Sequence, residues 1–236
     1  MEFTNKEFCL EVSGDFACFT RPEFKVERVS YDIITPSAVR AIFESILWKP
    51  AMRWNPTKIE ILPATGEVDE AIEWPHWTSV RRNEVGAVVG RGANQIFIED
   101  RRQQKASRIL RDVRYRLYAE LEFIPFSRRN PEGQSREGQN DENPAKYYAM
   151  FERRARKGQT FNHPYLGCRE FSCNEVLFLE GTESRSPILP VTRDLGFMLY
   201  DMDFSDETHI EPMFFRAQVN QGILVIPAKN SPEVMK

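Results

Sequence analysis

Apolar and polar residues alternate through Phe8, Leu10 and Val12, which predicts an opening strand continued by Phe16 to Phe19 after Gly14 and Asp15. Thr35 and Pro36 then open a helix. Val39, Ile42, Phe43, Ile46 and Leu47 follow at helical spacing, and Pro50 stops it. A short strand is expected over Lys58 to Leu62, and Val80 begins another. The clearest alternation sets Val113, Tyr115, Leu117, Ala119, Leu121 and Phe123 on one face of a strand, opposite Arg114, Arg116, Tyr118, Glu120 and Glu122. Over 143–158, Asn143 is placed to cap a second helix, Pro144 suits its first position, and Gly158 suits a left-handed stop. Tyr148, Phe151 and Ala155 form its apolar stripe; Lys146, Met150, Arg153 and Lys157 fall on a different, mostly cationic face. A strand near Leu166 to Phe171 follows. Extended runs then lie in Gly196 to Phe204 and Pro212 to Pro227, with Asn220-Gln221-Gly222 as a hairpin turn.

The order strand, helix, strand, strand, helix, strand is that of the split βαβ, or ferredoxin-like, arrangement found in RNA-recognition domains. The expected class is therefore α+β: a ferredoxin-like, RNA-recognition-like domain over 1–174 with a basic insertion, and a small β-rich C-terminal domain over 175–236. The usual RNA-recognition aromatic motifs are absent, so topology alone does not imply RNA binding. Residues 99–112 read as the basic part of a surface arm that orders on an anion, or as a solvated insertion. Residues 127–142 read as a flexible loop.

Charge changes the picture. The 236 residues carry a net charge of only −3, but 81–116 hold ten Lys/Arg against four acids, and 170–211 hold ten acids against two arginines. A mildly acidic chain can thus present a local polyanion-binding footprint. The acidic segment serves either solubility, which is favoured, or a basic partner. No signal-peptide pattern opens the chain and no apolar run approaches a membrane span, so the expected compartment is the cytoplasm. The spacings of Cys9, Cys18, Cys168 and Cys173 match no common zinc pattern, so reduced, packed thiols are expected, with no metal and no cofactor.

Candidate chemistry gathers in three places. Lys146 and Tyr147 sit in the first turn of the second helix, where orphan N–H groups and the helix dipole favour a phosphate. Lys49 and Arg53 lie beside Trp48 and Trp54, which serve either to stack on bases or to fill the core. Arg81, Arg82, Arg91, Arg101 and Arg102 make the arm basic, as Arg153 and Lys157 make the helix face basic.

Six stretches, GDFACFT (14–20), SYDIITPSAVRAIFESILWKPAMRW (30–54), VRRNEVG (80–86), DVRYRLYAELEF (112–123), NPAKYYAMFERRARKGQTFNHPYLGCREF (143–171) and LGFMLYDMDF (195–204), together resemble the Cas-five family of CRISPR-associated proteins in its type I-C subtype. The resemblance implies a subunit of the crRNA-guided surveillance complex that cuts precursor CRISPR RNA in its repeat and keeps the 5′ handle. Its expected partners are that repeat, the mature 5′ handle and the other subunits, with no membrane. The family's working set is a Tyr before Trp-Lys-Pro and a Lys-His pair opening the second helix. Here those positions hold Leu47, Lys146 and Tyr147. A metal-independent cut needs a base for the attacking 2′-hydroxyl, an acid for the leaving 5′ oxygen and a cation at the phosphate. Lys146 fits the cation and Tyr147 the acid. Tyr148, His163 and Tyr31 are substitutes, His163 being better suited to holding a loop. The alternative is a non-cleaving RNA-binding scaffold subunit of the same complex, for which Leu47 and Tyr147 speak.

Overall fold

The computed structural model describes residues 5–24, 26–68, 74–85, 102–129, 143–180, 186–206 and 208–236. The elements are β1 (Lys6–Ala17), β2 (Arg28–Val29), α1 (Pro36–Ile46), β3 (Met52–Ile61), β4 (Trp77–Val85), β5 (Arg102–Phe123), α2 (Phe126–Arg129) and α3 (Pro144–Arg156). They continue with β6 (Glu175–Leu179), β7 (Arg193–Asp203), β8 (Glu211–Asn220), β9 (Ile223–Val225) and β10 (Val234–Met235). The class is α+β. Ten strands form one mostly antiparallel sheet in the order β10-β8-β9-β3-β5-β1-β6, with β2 and β4 on β5 and β7 on β8.

The centre is β5, 22 residues long. Its six alternating apolar residues from Val113 to Phe123 are all buried, as expected. The strand reaches further than its clean alternation. Residues 102–110, expected as part of an arm, pair with β4 from Val85↔Arg102 to Trp77↔Leu110. Ser107, Ile109 and Leu110 are buried, and Asp112 takes a positive φ of 52°, so the alternation changes phase before Val113 and hides the strand.

The helices cover one face. Thr35 caps α1 by accepting from the Ala38 N–H, and Val39, Ile42, Phe43 and Ile46 are buried, as their spacing predicts. In α3 the buried residues are Pro144, Tyr147, Phe151 and Ala155; Tyr148 is half-buried, its ring 6.0 Å from that of Phe8. Phe151 is wholly buried where α1, α3 and the sheet meet. Its ring centroid lies 4.8 Å from Phe8, 4.6 Å from Trp54, 5.8 Å from Phe43 and 6.0 Å from Phe178. Trp54 is thus a core residue, and its indole N–H donates to the Leu47 carbonyl at 2.9 Å.

Leu166 to Phe171, expected as a strand, form none; an isolated bridge, Tyr165↔Ser172, flanks them, and the strand begins at Glu175 instead. Gly167 explains the change. At φ +85° it packs so closely on the residue after β1 that an added Cβ would lie 2.1 Å from the Cys18 carbonyl oxygen. The Cys18 N–H donates to Leu166 at 3.0 Å, so this segment turns against the end of β1 rather than running beside it. The hairpin at Asn220-Gln221-Gly222 forms as expected between β8 and β9, with positive φ at Gln221 (49°) and Gly222 (75°).

Phe151→Ala should destabilise the fold by about 3–5 kcal/mol, because the void opens among four rings. Urea unfolding followed by far-UV circular dichroism measures it; a loss below about 1 kcal/mol would contradict this description of the core.

Candidate nucleic-acid interface and active site

The first turn of α3 is anchored from both sides. Asn143 has extended dihedrals, and its side-chain oxygen accepts from the Ala145 N–H at 2.9 Å. The Lys146 N–H donates to the Asn143 carbonyl at 3.1 Å, and Pro144 has no N–H. The expected orphan donors at residues 145 and 146 are therefore already satisfied. What this end offers an anion is the helix dipole and the exposed Lys146 side chain, which is in no ion pair among the described residues. Tyr147 beside it is buried, its ring 5.8 Å from that of Phe123 at the end of β5.

That contact fixes what surrounds Lys146. Phe123 pairs with Met52 and Glu122 with Arg53, while the Ile124 N–H donates to the Ala51 carbonyl at 2.9 Å. The α1–β3 turn, with Trp48 and Lys49, is thereby held at the same end of the sheet as the start of α3. Lys49 and Arg53 are exposed there. Two arginines that sequence reasoning assigned to a flexible loop join them, because residues 126–129 form α2. Arg128 pairs with Glu122 at 3.2 Å, and Arg129 donates to the Ile124 carbonyl at 2.9 Å. The Ser-Arg-Arg run after Phe126 was the available signal, hidden by the polar stretch behind it.

The other candidates lie apart. Arg153 and Lys157 are exposed along α3, Lys157 being about 16 Å from Lys146 along the axis at 1.5 Å per residue. Arg81 is exposed on β4 opposite Ala106. From there to Phe123, β5 runs up to roughly 55 Å at about 3.3 Å per residue, so the β4–β5 ribbon and the Lys146 region occupy opposite ends of the strand. In that ribbon Arg82 pairs with Lys105 and Arg102 with Val85 through their backbones, their side chains outside the described part; Arg91 and Arg101 lie outside the described residues. On the ribbon, Arg108 stacks 4.5 Å over the ring of Trp77.

The substitute acid–base groups are engaged elsewhere. Tyr31 is buried, which raises its phenol, and its hydroxyl accepts from the Leu199 N–H at 3.2 Å. Burial also raises Tyr148, against the opposing charge of Lys6. His163 Nε2 lies 3.1 Å from the Cys173 carbonyl and so holds its loop. Leu47 is buried, its N–H donating to Phe43. The acidic segment is partly neutralised within the chain: Glu180 by Arg156, Asp194 by Arg216, Asp201 by Arg40 and Asp203 by Lys236. Among the described residues, no three of His, Cys, Asp and Glu converge closely enough to hold a metal ion.

One sheet thus carries α1 and α3 on one face, with exposed cations gathered at one end and Arg81 exposed on the ribbon at the other. A family model described as CRISPR-associated protein (Cas_Cas5) matches residues 8–226. The chain belongs to the Cas5 family of CRISPR-associated proteins, in its type I-C (Cas5d) branch. It is 40% identical over 242 residues to a protein of Mannheimia succiniciproducens named CRISPR pre-crRNA endoribonuclease Cas5d, covering 96% of this chain and 97% of that one. A solved structure described as a CRISPR-associated protein has the same fold at a TM-score of 0.68 and 21% identity, with 100% of both chains covered. A chain from a CRISPR RNA-guided surveillance complex aligns at a TM-score of 0.51 and 11% identity, over 94% of this chain and 90% of that one.

Asn143→Ala should cost about 1 kcal/mol of stability by releasing the Ala145 N–H, and Asn143→Ser should restore most of it. Thermal melting of the two variants against wild type checks this; equal melting points for all three would remove Asn143 as the anchor of Lys146.

Proposed function

We propose that this chain is a pre-crRNA endoribonuclease of the type I-C surveillance complex, cutting the repeat without a metal ion and retaining the 5′ handle. The observation that carries the reading is the placement of exposed Lys146 at a capped helix start, at the same end of the sheet as Lys49, Arg53, Arg128 and Arg129. The naming of the Mannheimia relative and the fold of the surveillance-complex chain support it. The fold core serving this role is ferredoxin-like: strands β3-β5-β1-β6 stand in the required order, with α1 between β1 and β3 and α3 between β5 and β6. On this reading the division from the C-terminal strands falls after Leu179 rather than at 174, because β6 pairs with β1. No described helix is long and apolar enough to cross a membrane, and the proposed substrate places the protein in the cytoplasm.

In the proposed step, the 2′-hydroxyl of the nucleotide before the cut gives its proton to solvent water and attacks the adjacent phosphorus. The bond to the 5′ oxygen breaks and that oxygen takes a proton. The products are a 2′,3′-cyclic phosphate and a 5′-hydroxyl. Lys146 meets the charge that builds on the phosphate oxygens, and the Tyr147 hydroxyl supplies the proton. Arg53, Lys49, Arg153 and Lys157 hold flanking phosphates, while Arg81, Arg82, Arg91, Arg101 and Arg102 hold a more distant part of the RNA. The scaffold reading keeps the same RNA contacts without the cut. The burial of both Leu47 and Tyr147, at positions where the family uses titratable side chains, favours it.

Lys146→Ala should slow cleavage by roughly 100- to 1,000-fold, the effect of removing one transition-state charge donor, while RNA affinity falls far less. Tyr147→Phe should slow it by about 100-fold or more through loss of the proton donor, and Tyr147→His should keep activity by supplying a group with a pKa near neutrality. Single-turnover cleavage of the repeat RNA measures all three. Full activity in Lys146→Ala removes it from the mechanism; wild-type protein that binds the repeat tightly and never cuts it selects the scaffold.

A further inference from the structure

Trp48 stands apart from the other residues of α1 and its flanks. Leu47 before it and Trp54 after it are buried, yet Trp48 is 58% exposed, between exposed Lys49 and the helix end. It lines two grooves at once. One, of about 320 Å³, runs between α1 and the loop after α3, with Ser45, Phe161 and Tyr165 in its walls. The other, of about 520 Å³, lies between α1, the start of β3 and the C-terminal strands, with Arg53 and Phe204. Phe161 is 84% exposed and Phe204 59%, and Tyr165 is also exposed. The loop that carries Phe161 is fixed to α1, because the Phe161 N–H donates to the Ser45 carbonyl at 2.6 Å.

Four exposed aromatic rings along α1 and around its C-terminal end, none needed for the core, mark a binding surface. Its charge selects the partner. The two carboxylates in the grooves, Glu44 and Asp201, share Arg40 at 2.8 and 2.7 Å, and Arg53 in the second groove offsets the one negative charge left over. Lys49 and Arg53 are exposed and in no ion pair among the described residues. Flat apolar faces beside free cations match unpaired nucleotides, whose bases stack while their phosphates meet the cations. We infer that Trp48, with Phe161 and Tyr165 on one flank and Phe204 on the other, is a stacking ridge that holds single-stranded RNA across the end of α1. The inference rests on the RNA-processing reading above and deepens it: the protein grips unpaired nucleotides here, at the same end of the sheet as Lys146.

Fluorescence anisotropy of a fluorescein-labelled, unstructured RNA 12-mer, over a salt series, tests this. Trp48→Ala and Phe161→Ala should each weaken binding about 5- to 150-fold, the range for one lost base–aromatic stack, and Trp48→Phe should retain most of it. The slope of log affinity against log salt should be unchanged in the aromatic variants, because stacking releases no counterions, and about 0.7 shallower in Arg53→Ala. Melting points establish that each variant is folded. Unchanged RNA affinity in both alanine variants overturns the ridge, and does so as well if those variants lose only their binding to other complex subunits, which would make the surface a protein-docking face. Wild-type protein that binds and cuts repeat RNA, with Trp48→Ala and Phe161→Ala doing so equally, defeats this inference alone. Wild-type protein that binds no RNA defeats the RNA-processing reading and the ridge together.

Discussion

Arg116 is almost wholly buried on the face of the sheet opposite the helices, and the register of the central strands depends on its partners. Its guanidinium donates to Glu60 at 2.6 Å and to the Ser186 carbonyl at 2.9 Å, and reaches Glu11 at 3.5 Å. Glu11 and Glu60 are the residues directly opposite Arg116 on β1 and β3. Arg114 closes the group on Glu11 at 2.7 Å, and Lys58 on Glu60 at 2.8 Å. Burial alone would raise the Glu60 carboxyl; the hydrogen bonds from Lys58 and Arg116 outweigh it and leave the group below its ordinary value. A slip of one residue between β5 and either neighbour would turn these charges into the apolar layer, unpaired, so the cluster specifies register even where its net contribution to stability is small.

That register reaches the candidate active site. With Arg116 opposite Glu60, the ladder carries Leu121 to Trp54 and Phe123 to Met52. Phe123 then receives the Tyr147 ring, and Trp54 receives Phe151. The start of α3, and with it Lys146, is placed by packing that begins in a charge cluster on the other side of the sheet. The same strand carries the ribbon with Arg81 at its far end, so one rigid element sets the span between the two cationic regions.

The periodic elements were legible in the sequence because each had a single buried face and a clear terminator: α1 between Thr35 and Pro50, α3 between Asn143 and Gly158, the later half of β5 with its strict alternation. The early half of β5 was not, because Asp112 shifts the phase and the stretch is rich in cations. The 166–171 segment misled because Gly167 makes a close approach that no periodicity records. At the site, the cations and their approximate places could be read, and the direction of each side chain could not. One helical position separates exposed Lys146 from buried Tyr147, and Trp48 and Trp54 divide between surface and core although both sit in the same Trp-Lys-Pro neighbourhood.

The chemistry proposed for this site uses no metal ion: a lysine for charge, a tyrosine for a proton, arginines for position. Its central claim is best tested by incubating the purified protein with its repeat RNA in excess EDTA and identifying the product ends by mass spectrometry. The account predicts one cut per repeat at an undiminished rate, giving a 2′,3′-cyclic phosphate and a 5′-hydroxyl. Cleavage that stops in EDTA and returns with magnesium, or products with a 3′-hydroxyl and a 5′-phosphate, would contradict it.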